Sequence, residues 1–272
     1  MPCSRFRPTT DWHAYFTRNA TAPRSIPWQE GVRWSVDDRR AVVRSVQEFQ
    51  LGEQSEGRYL QRCADAYAAA HDDPAYSATM ALFIREEQRH ARELAQLLTA
   101  AMVPLKTRTG IDLVFRGVRK LRMRRSPSLE NCLRVLVTAE TVATQYYAAL
   151  RDATGCPVTQ ALCRQILRDE AAHLRFHAER LARFQRERSA RYAAWVDRLH
   201  GALLAATCLA VWPGHRRVFR RAGVSYRAFA AGCKRTLDRR VLRVGWPCRA
   251  QAHSAPPLHA VSTSSDTLAQ AA

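Results

Sequence analysis

Lysine is almost missing from this chain of 272 residues, with Lys106, Lys120 and Lys234 the only three. The 43 basic residues are therefore nearly all arginine, and set against 24 acids they leave a formal charge of +19. Such a surface admits anionic partners, among them an acyl carrier protein, tRNA or a membrane surface, although a solvated basic face is the plainer account. No C-x-x-C pair occurs among the eight cysteines, so no thiolate metal knuckle and no disulfide framework is indicated, and reduced thiols are expected. The longest apolar run, Leu199 to Trp212, is interrupted by His200 and Gly201 and falls short of the roughly twenty residues that span a bilayer. A buried helix is expected there, with a helix lying at a membrane interface as the alternative. Arg5, Arg7, Asp11 and His13 stand where a signal peptide would be apolar, so a cytoplasmic protein is expected, in peripheral membrane contact at most.

The sequence does contain six metal-ligating side chains in the order Glu, Glu-x-x-His, Glu, Glu-x-x-His: Glu53, Glu87 with His90, Glu140, and Glu170 with His173. A Glu and a His three residues apart share one helical face and can reach one metal. Four carboxylates and two imidazoles follow the ligand plan of a dimetal site inside a four-helix bundle. Such a donor set suits iron or manganese better than a thiolate-preferring metal.

The surrounding pattern agrees. Ser35 and Asp38 form a capping-box start, and Asp72-Asp73-Pro74 ends one helix and opens the next, which predicts a first helix over 36–71. Its inward stripe is Val42, Val46, Phe49, Glu53, Glu56, Leu60, Cys63 and Tyr67. The second helix, about 75–101, carries Met80, Phe83, Glu87, His90, Leu94 and Leu97 on the same rhythm. Residues 103–127 form a long basic crossover, the third helix spans about 128–153 with Glu140 and Thr144 on its stripe, and the fourth follows Pro157 with Glu170, His173 and His177. The expected fold is thus an all-α four-helix bundle over 36–186, preceded by an irregular arm (1–35) containing Pro8, Pro23 and Pro27. It is followed by a helical extension (187–245), with helices near 191–211 and 224–242, and a disordered tail (246–272).

One Glu-x-x-His by itself usually lies on a solvated face. Two copies centred on apolar stripes would bury four carboxylates, which must then be paired, protonated or metal-bound. Glu53 and Glu56 compete for the first ligand position, one turn apart on the same stripe; Glu53 fits the spacing better, leaving Glu56 as a supporting or switching group. His177, one turn beyond His173, reads first as a hydrogen-bonded core histidine and second as a further ligand. Tyr59, Tyr146 and Tyr147 are near enough in sequence to line the cavity, with core packing as the default.

The segments Glu86-Glu87-Gln88-Arg89-His90 and Asp169-Glu170-Ala171-Ala172-His173 resemble the (D/E)-E-x-R-H and D-E-x-x-H elements of diiron oxygenases and acyl-carrier desaturases. Over residues 36–186 the chain resembles the ferritin-like diiron carboxylate superfamily, and bacterial ferritin-like domain proteins in particular. The resemblance implies a long connection between the second and third helices, and Glu86 and Asp169 as acceptors of the ligand histidines' ring N–H. It further implies two iron ions, with manganese or a mixed pair as alternatives, and O2 as co-substrate. Thr144, one turn after Glu140, is similar to a threonine associated with oxygen activation in bacterial diiron monooxygenases; Ala172 departs from the pattern, standing where an Arg would be.

The function expected from this resemblance is an O2-dependent oxidase or oxygenase that hydroxylates, desaturates or oxygenates an organic substrate, with an external electron donor and a homodimer among its partners. Iron handling by a ferroxidase, storage shell or peroxide scavenger is the alternative from another class. The lack of a rubredoxin-type cysteine pair weighs against the last of these. A tRNA-modifying diiron hydroxylase is the third reading, suggested by the basic charge.

Overall fold

A computed structural model describes residues 6–23, 25–54, 57–107, 128–186 and 188–245. The described residues are all-helical, with no strand among them. Eight α-helices follow in order: α1 Thr9–Thr21, α2 Val36–Glu53, α3 Arg58–Ala70, α4 Pro74–Ala100, α5 Leu129–Ala153, α6 Pro157–Arg186, α7 Ala190–Arg221 and α8 Tyr226–Thr236. Most of the basic crossover, Glu56 and the 246–272 tail lie outside the described residues.

The expected helix starts hold. Ser35 Oγ accepts from the Asp38 amide at 3.0 Å while Asp38 accepts from the Ser35 amide at 3.1 Å, closing the capping box of α2. Pro74 occupies the first turn of α4, where its missing N–H leaves no bond unmade. α2 and α3 pack in succession against α4, and a three-residue connection makes α5 and α6 close antiparallel neighbours. Their contact stripes meet in one core that includes Tyr76, Met80, Phe83, Leu94, Leu133, Leu150, Leu162 and Ile166. Each such side chain contributes about 1.5–3 kcal/mol by leaving water.

Three expectations are corrected. Residues 9–21 form a helix rather than an irregular arm: Pro8 precedes it and Pro23 follows it, so the prolines mark its ends, while Trp12 and Phe16, one turn apart, are buried. The single helix expected over 36–71 is two, because the chain leaves helical geometry after Glu53 and passes through Gly57 at φ +64° before α3 begins. A side chain at Gly57 would be strained by that φ and would also place Cβ 2.5 Å from Ile84 Cγ2. The stripe persists across this break because a short interruption keeps α2 and α3 on the same side of α4.

The third correction concerns the expected apolar helix, which runs ten residues further as α7, passing through Pro213, and is not buried all round. Its inner face of His200, Leu204, Cys208, Val211, His215, Val218 and Phe219 packs against α5 and α2. That burial holds the helix together past the proline, while Trp195, Leu199 and Leu209 face outward and are exposed. By length and composition α7 is the one helix among the described residues that could cross a membrane. The expected helix over 224–242 is shorter, with α8 passing into a π-turn at Leu237–Val241 and a 3-10 turn at Leu242–Gly245. The six described cysteines are thiols; Cys63 and Cys132 bring their sulfurs to 3.8 Å between α3 and α5.

Candidate metal centre

α4 and α6 each carry Glu-x-x-His on the face turned toward the other, so the two motifs meet in the core. His90, Glu140, Glu170 and His173 are buried, and Glu53 and Glu87 are half-buried. His173 Nδ1 lies 3.0 Å from Glu87 Oε1 and 3.7 Å from Glu170 Oε2, and His90 Nδ1 lies 3.8 Å from Glu87 Oε1 and 3.9 Å from Glu170 Oε1. Glu53, the last residue of α2, accepts a hydrogen bond from the Tyr147 hydroxyl at 2.8 Å and adjoins Glu87. Glu140 enters from α5, its Oε1 3.4 Å from His177 Nε2.

Several of these atoms lack hydrogen-bond partners although they are buried: Nδ1 of both His90 and His173, Glu87 Oε1, Glu170 Oε2 and both oxygens of Glu140. His173 Nδ1 and Glu87 Oε1 are close enough to bond but are not aligned on one another. Buried groups of this kind cost about 1–3 kcal/mol each when unpaired. Nitrogen and carboxylate lone pairs gathered in one space are what a cation binds, and the set contains no thiolate. The grouping Glu87, Glu170 and His173 brings one ligand atom from each within 4.8 Å of the others, a spacing that could hold a metal ion.

The other imidazole nitrogen of each histidine is occupied. His90 Nε2 faces Asp169 Oδ2 at 3.2 Å and His173 Nε2 faces Glu86 Oε1 at 3.3 Å. The pairing is crossed, since the acid on each helix holds the histidine on the other. A carboxylate at Nε2 keeps the proton there and leaves Nδ1 as the free donor atom. Asp169 also accepts from Arg89 Nη2 at 2.6 Å and from Gln165 Nε2 at 2.7 Å. Glu86, His90 and Asp169 form a second group with metal-ligand spacing, but these bonds already engage its two acids.

Electrostatics in the centre follow from crowding. Burial, with Glu87 and Glu170 nearby, pushes Glu53 well above the usual carboxylate range. Burial likewise raises Glu140 to about 8 and, reinforced by Glu87, Glu170 to about 7. Glu87 is the exception: burial would raise it, but His173 and His90 outweigh that and bring it down to about 2. His173 is raised well above its ordinary value because Glu170, Glu86 and Glu87 outweigh its burial. Crowded carboxylates thus favour holding protons here.

Other expected residues fall as follows. His177 is fully buried with both ring nitrogens unpaired, so it is not the hydrogen-bonded core histidine expected; burial and the nearby His173 keep it neutral, at about 3. Thr144 is half-buried, and its hydroxyl donates to the Thr141 carbonyl at 2.8 Å. Glu56 lies outside the described residues. Tyr147 reaches the centre through Glu53, whereas Tyr146 stacks on Phe49 with ring centroids 3.5 Å apart and meets Ser45 and His215 away from it.

Sequence reasoning missed the contribution of α1. Asn19 Nδ2 donates to Glu86 Oε1 at 2.7 Å and to Asp169 Oδ1 at 3.1 Å, bridging the two acids that orient the histidines. Phe16 stacks on His173 at 5.9 Å, and Trp12 Nε1 donates to Glu179 at 2.9 Å, fixing α1 to α6. The only available signal was the Trp12–Phe16 spacing with an amide one turn on. Comparison with protein-family models, with curated proteins and with solved structures finds no match to this chain.

Proposed function

We propose that this is a ferritin-like diiron protein in which α2 with α3, α4, α5 and α6 form the bundle and α7 and α8 the extension. Glu53, Glu87, His90, Glu140, Glu170 and His173 would hold two iron ions, and the activity would be O2-dependent oxidation of an organic substrate. The observation that carries this reading is the set of unpaired buried atoms on His90, His173, Glu87, Glu140 and Glu170, all in one space. Bound there, two iron ions would supply the electrons and the open coordination positions for reducing O2 and oxidising a C–H or N–H group.

The protein's own part is positional. Asp169 and Glu86 hold the ring protons of His90 and His173 away from the metal side. Tyr147 steadies Glu53 at the half-buried edge, where a carboxylate is freest to change its mode of coordination. Phe83, edge-on to His173 at 4.7 Å and to His177 at 4.6 Å, lines the centre with apolar surface that keeps water out. His177, kept neutral beside Glu140, is placed to exchange a hydrogen bond with a group bound there.

The test is a titration of metal-free protein with Fe(II) under anaerobic conditions, followed by oxygen and measurement of its uptake with iron counted per chain. Saturation at about two irons per chain, with stoichiometric O2 consumption, is the expected result. Continued uptake with mineral formation would instead mean iron storage, and no binding would remove the diiron reading.

A further inference from the structure

α7 has two unlike faces. The inner one is held to the bundle by His200, bonded to Arg134 and Thr138 on α5, and by His215, bonded to Ser45 on α2. The outer one carries Trp195, Leu199, Ala202, Ala206, Leu209 and Pro213, each four or three residues after the last, and all six are exposed, Leu209 by 61%. That spacing sets them in one line along the helix, about 27 Å long at the usual rise per residue. No Asp, Glu, Lys or Arg occurs from Leu199 to His215, and only 28% of the most apolar stretch of α7 is buried. An exposed apolar strip of this extent marks a contact surface.

Both ends of the strip are basic. Arg191 and Arg198 lie four and three residues from Trp195, and Arg216, Arg217 and Arg220 lie three, four and seven beyond Pro213, so all five share the outer face, and all are exposed. The single acid within α7, Asp197, accepts from Gln185 on α6. Tyr192 and Trp195, with ring centroids 5.9 Å apart, add at one end the amphipathic rings that settle at a membrane–water boundary.

This charge pattern selects the occupant. A second copy of α7 laid along the strip would set arginine against arginine whether the helices ran parallel or antiparallel. A bilayer-spanning α7 would have to pull His200 and His215 away from their partners on α5 and α2. An anionic lipid surface meets neither obstacle: its phosphates pair with guanidinium at both ends, the apolar strip enters the acyl boundary, and the inner face stays on the bundle.

We propose that the outer face of α7 docks this protein in the plane of an anionic lipid bilayer. Trp195, Leu199 and Leu209 enter the boundary between headgroups and acyl chains, and the arginines at the two ends of the strip take lipid phosphates. The dock does not depend on whether the candidate centre holds iron.

The experiment is co-sedimentation of the intact chain, stripped of metal by chelation, with vesicles of phosphatidylcholine alone and of an equal mixture of phosphatidylcholine and phosphatidylglycerol. The chain should bind the mixed vesicles, more weakly as salt rises, and bind the neutral ones far less. Leu199→Gln and Leu209→Gln should each weaken binding roughly tenfold, and R216Q and R217Q each roughly fivefold. Val36→Gln, which removes an exposed apolar side chain from α2, should leave it unchanged; circular dichroism confirms that each variant folds. No binding of wild type to the mixed vesicles, equal binding to both kinds, or binding that neither the leucine nor the arginine variants weaken would overturn the dock. A dimer in analytical ultracentrifugation that Leu209→Gln dissociates, in a chain that ignores vesicles, would overturn it also and assign the face to a second copy. A chain that binds the mixed vesicles but takes up no iron sinks only the diiron reading, and one that loads two irons but ignores vesicles sinks only this one.

Discussion

Arg134 and His200 are buried, as His90 and His173 are, yet the two polar clusters differ in how their hydrogen bonds end. Around Arg134 every bond closes. Its Nε and Nη2 donate to Glu130 Oε1 at 3.2 and 2.9 Å, and its Nη1 donates to His200 Nδ1 at 3.4 Å. His200 Nε2 must then carry the proton and donates to Thr138 Oγ1 at 3.1 Å, while Thr138 donates to the Arg134 carbonyl. Asp197 accepts from Gln185 at 2.6 Å, so the network ties α5, α6 and α7 together. The Glu and His cluster between α4 and α6 closes its outer bonds in the same way and leaves its inner atoms without partners. A buried polar group that is fully paired is scaffold; buried groups paired on one side only, with lone pairs gathered on the other, are a set that could hold a cation.

Breaking the open cluster should have the largest effect on metal and the smallest on the fold. On the proposed diiron reading, Glu170→Gln or Glu87→Gln keeps the volume and removes one ligand charge; metal analysis should find iron loading abolished while the far-ultraviolet helical signal stays intact. The closed cluster should respond in the opposite sense. Arg134→Ala strands Glu130 and His200 and should lower unfolding free energy by roughly 3–5 kcal/mol, read by urea denaturation, with the iron stoichiometry of the folded fraction unchanged.

The closed cluster also has a pH signature. Burial, with the Arg134 charge beside it, holds His200 at about 4, below the ordinary value near 6.5. The unfolded chain therefore takes up a proton that the folded chain refuses. The contribution is fully present above pH 6.5 and is lost as pH falls toward 4, reaching roughly 3 kcal/mol. Urea titrations at a series of pH values should show that slope in the wild type and a flatter one in His200→Gln. The smallest expected effect joins the two clusters' logic: Asn19→Ala removes a donor from both orienting acids without touching a ligand, and should weaken metal affinity by about tenfold, measured by competition with a chromogenic chelator.

What could be read from sequence was whatever recurs with the helical period or punctuates it. Ser35, Asp38 and Pro74 announced their helix ends because capping is local chemistry. Glu87, His90, Glu170 and His173 stood out because charge on an apolar stripe is anomalous, and the acids before them carried a family pattern. Asn19 was not legible: α1 shows only Trp12 and Phe16 toward the core, and the amide's partners lie on two other helices. The break between α2 and α3 was hidden because the stripe runs through it, and only the positive φ of Gly57 distinguishes it from a helical glycine. Thr144 sits on the stripe as expected, but the sequence holds no record of which way a hydroxyl turns, and its own backbone takes the bond.

The bridge from Asn19 also bears on how the protein is made. α1 is synthesised before any other helix described here, yet one of its two carboxylate partners comes 67 residues later and the other 150. Contacts of such long range wait on chain closure and form late. The bridge from Asn19 is therefore complete only once α6 has joined α1 and α4. Until α6 had been translated, a nascent chain would hold His90 without Asp169 and Glu86 without His173, and any metal acquired earlier would be held by an incomplete set of ligands.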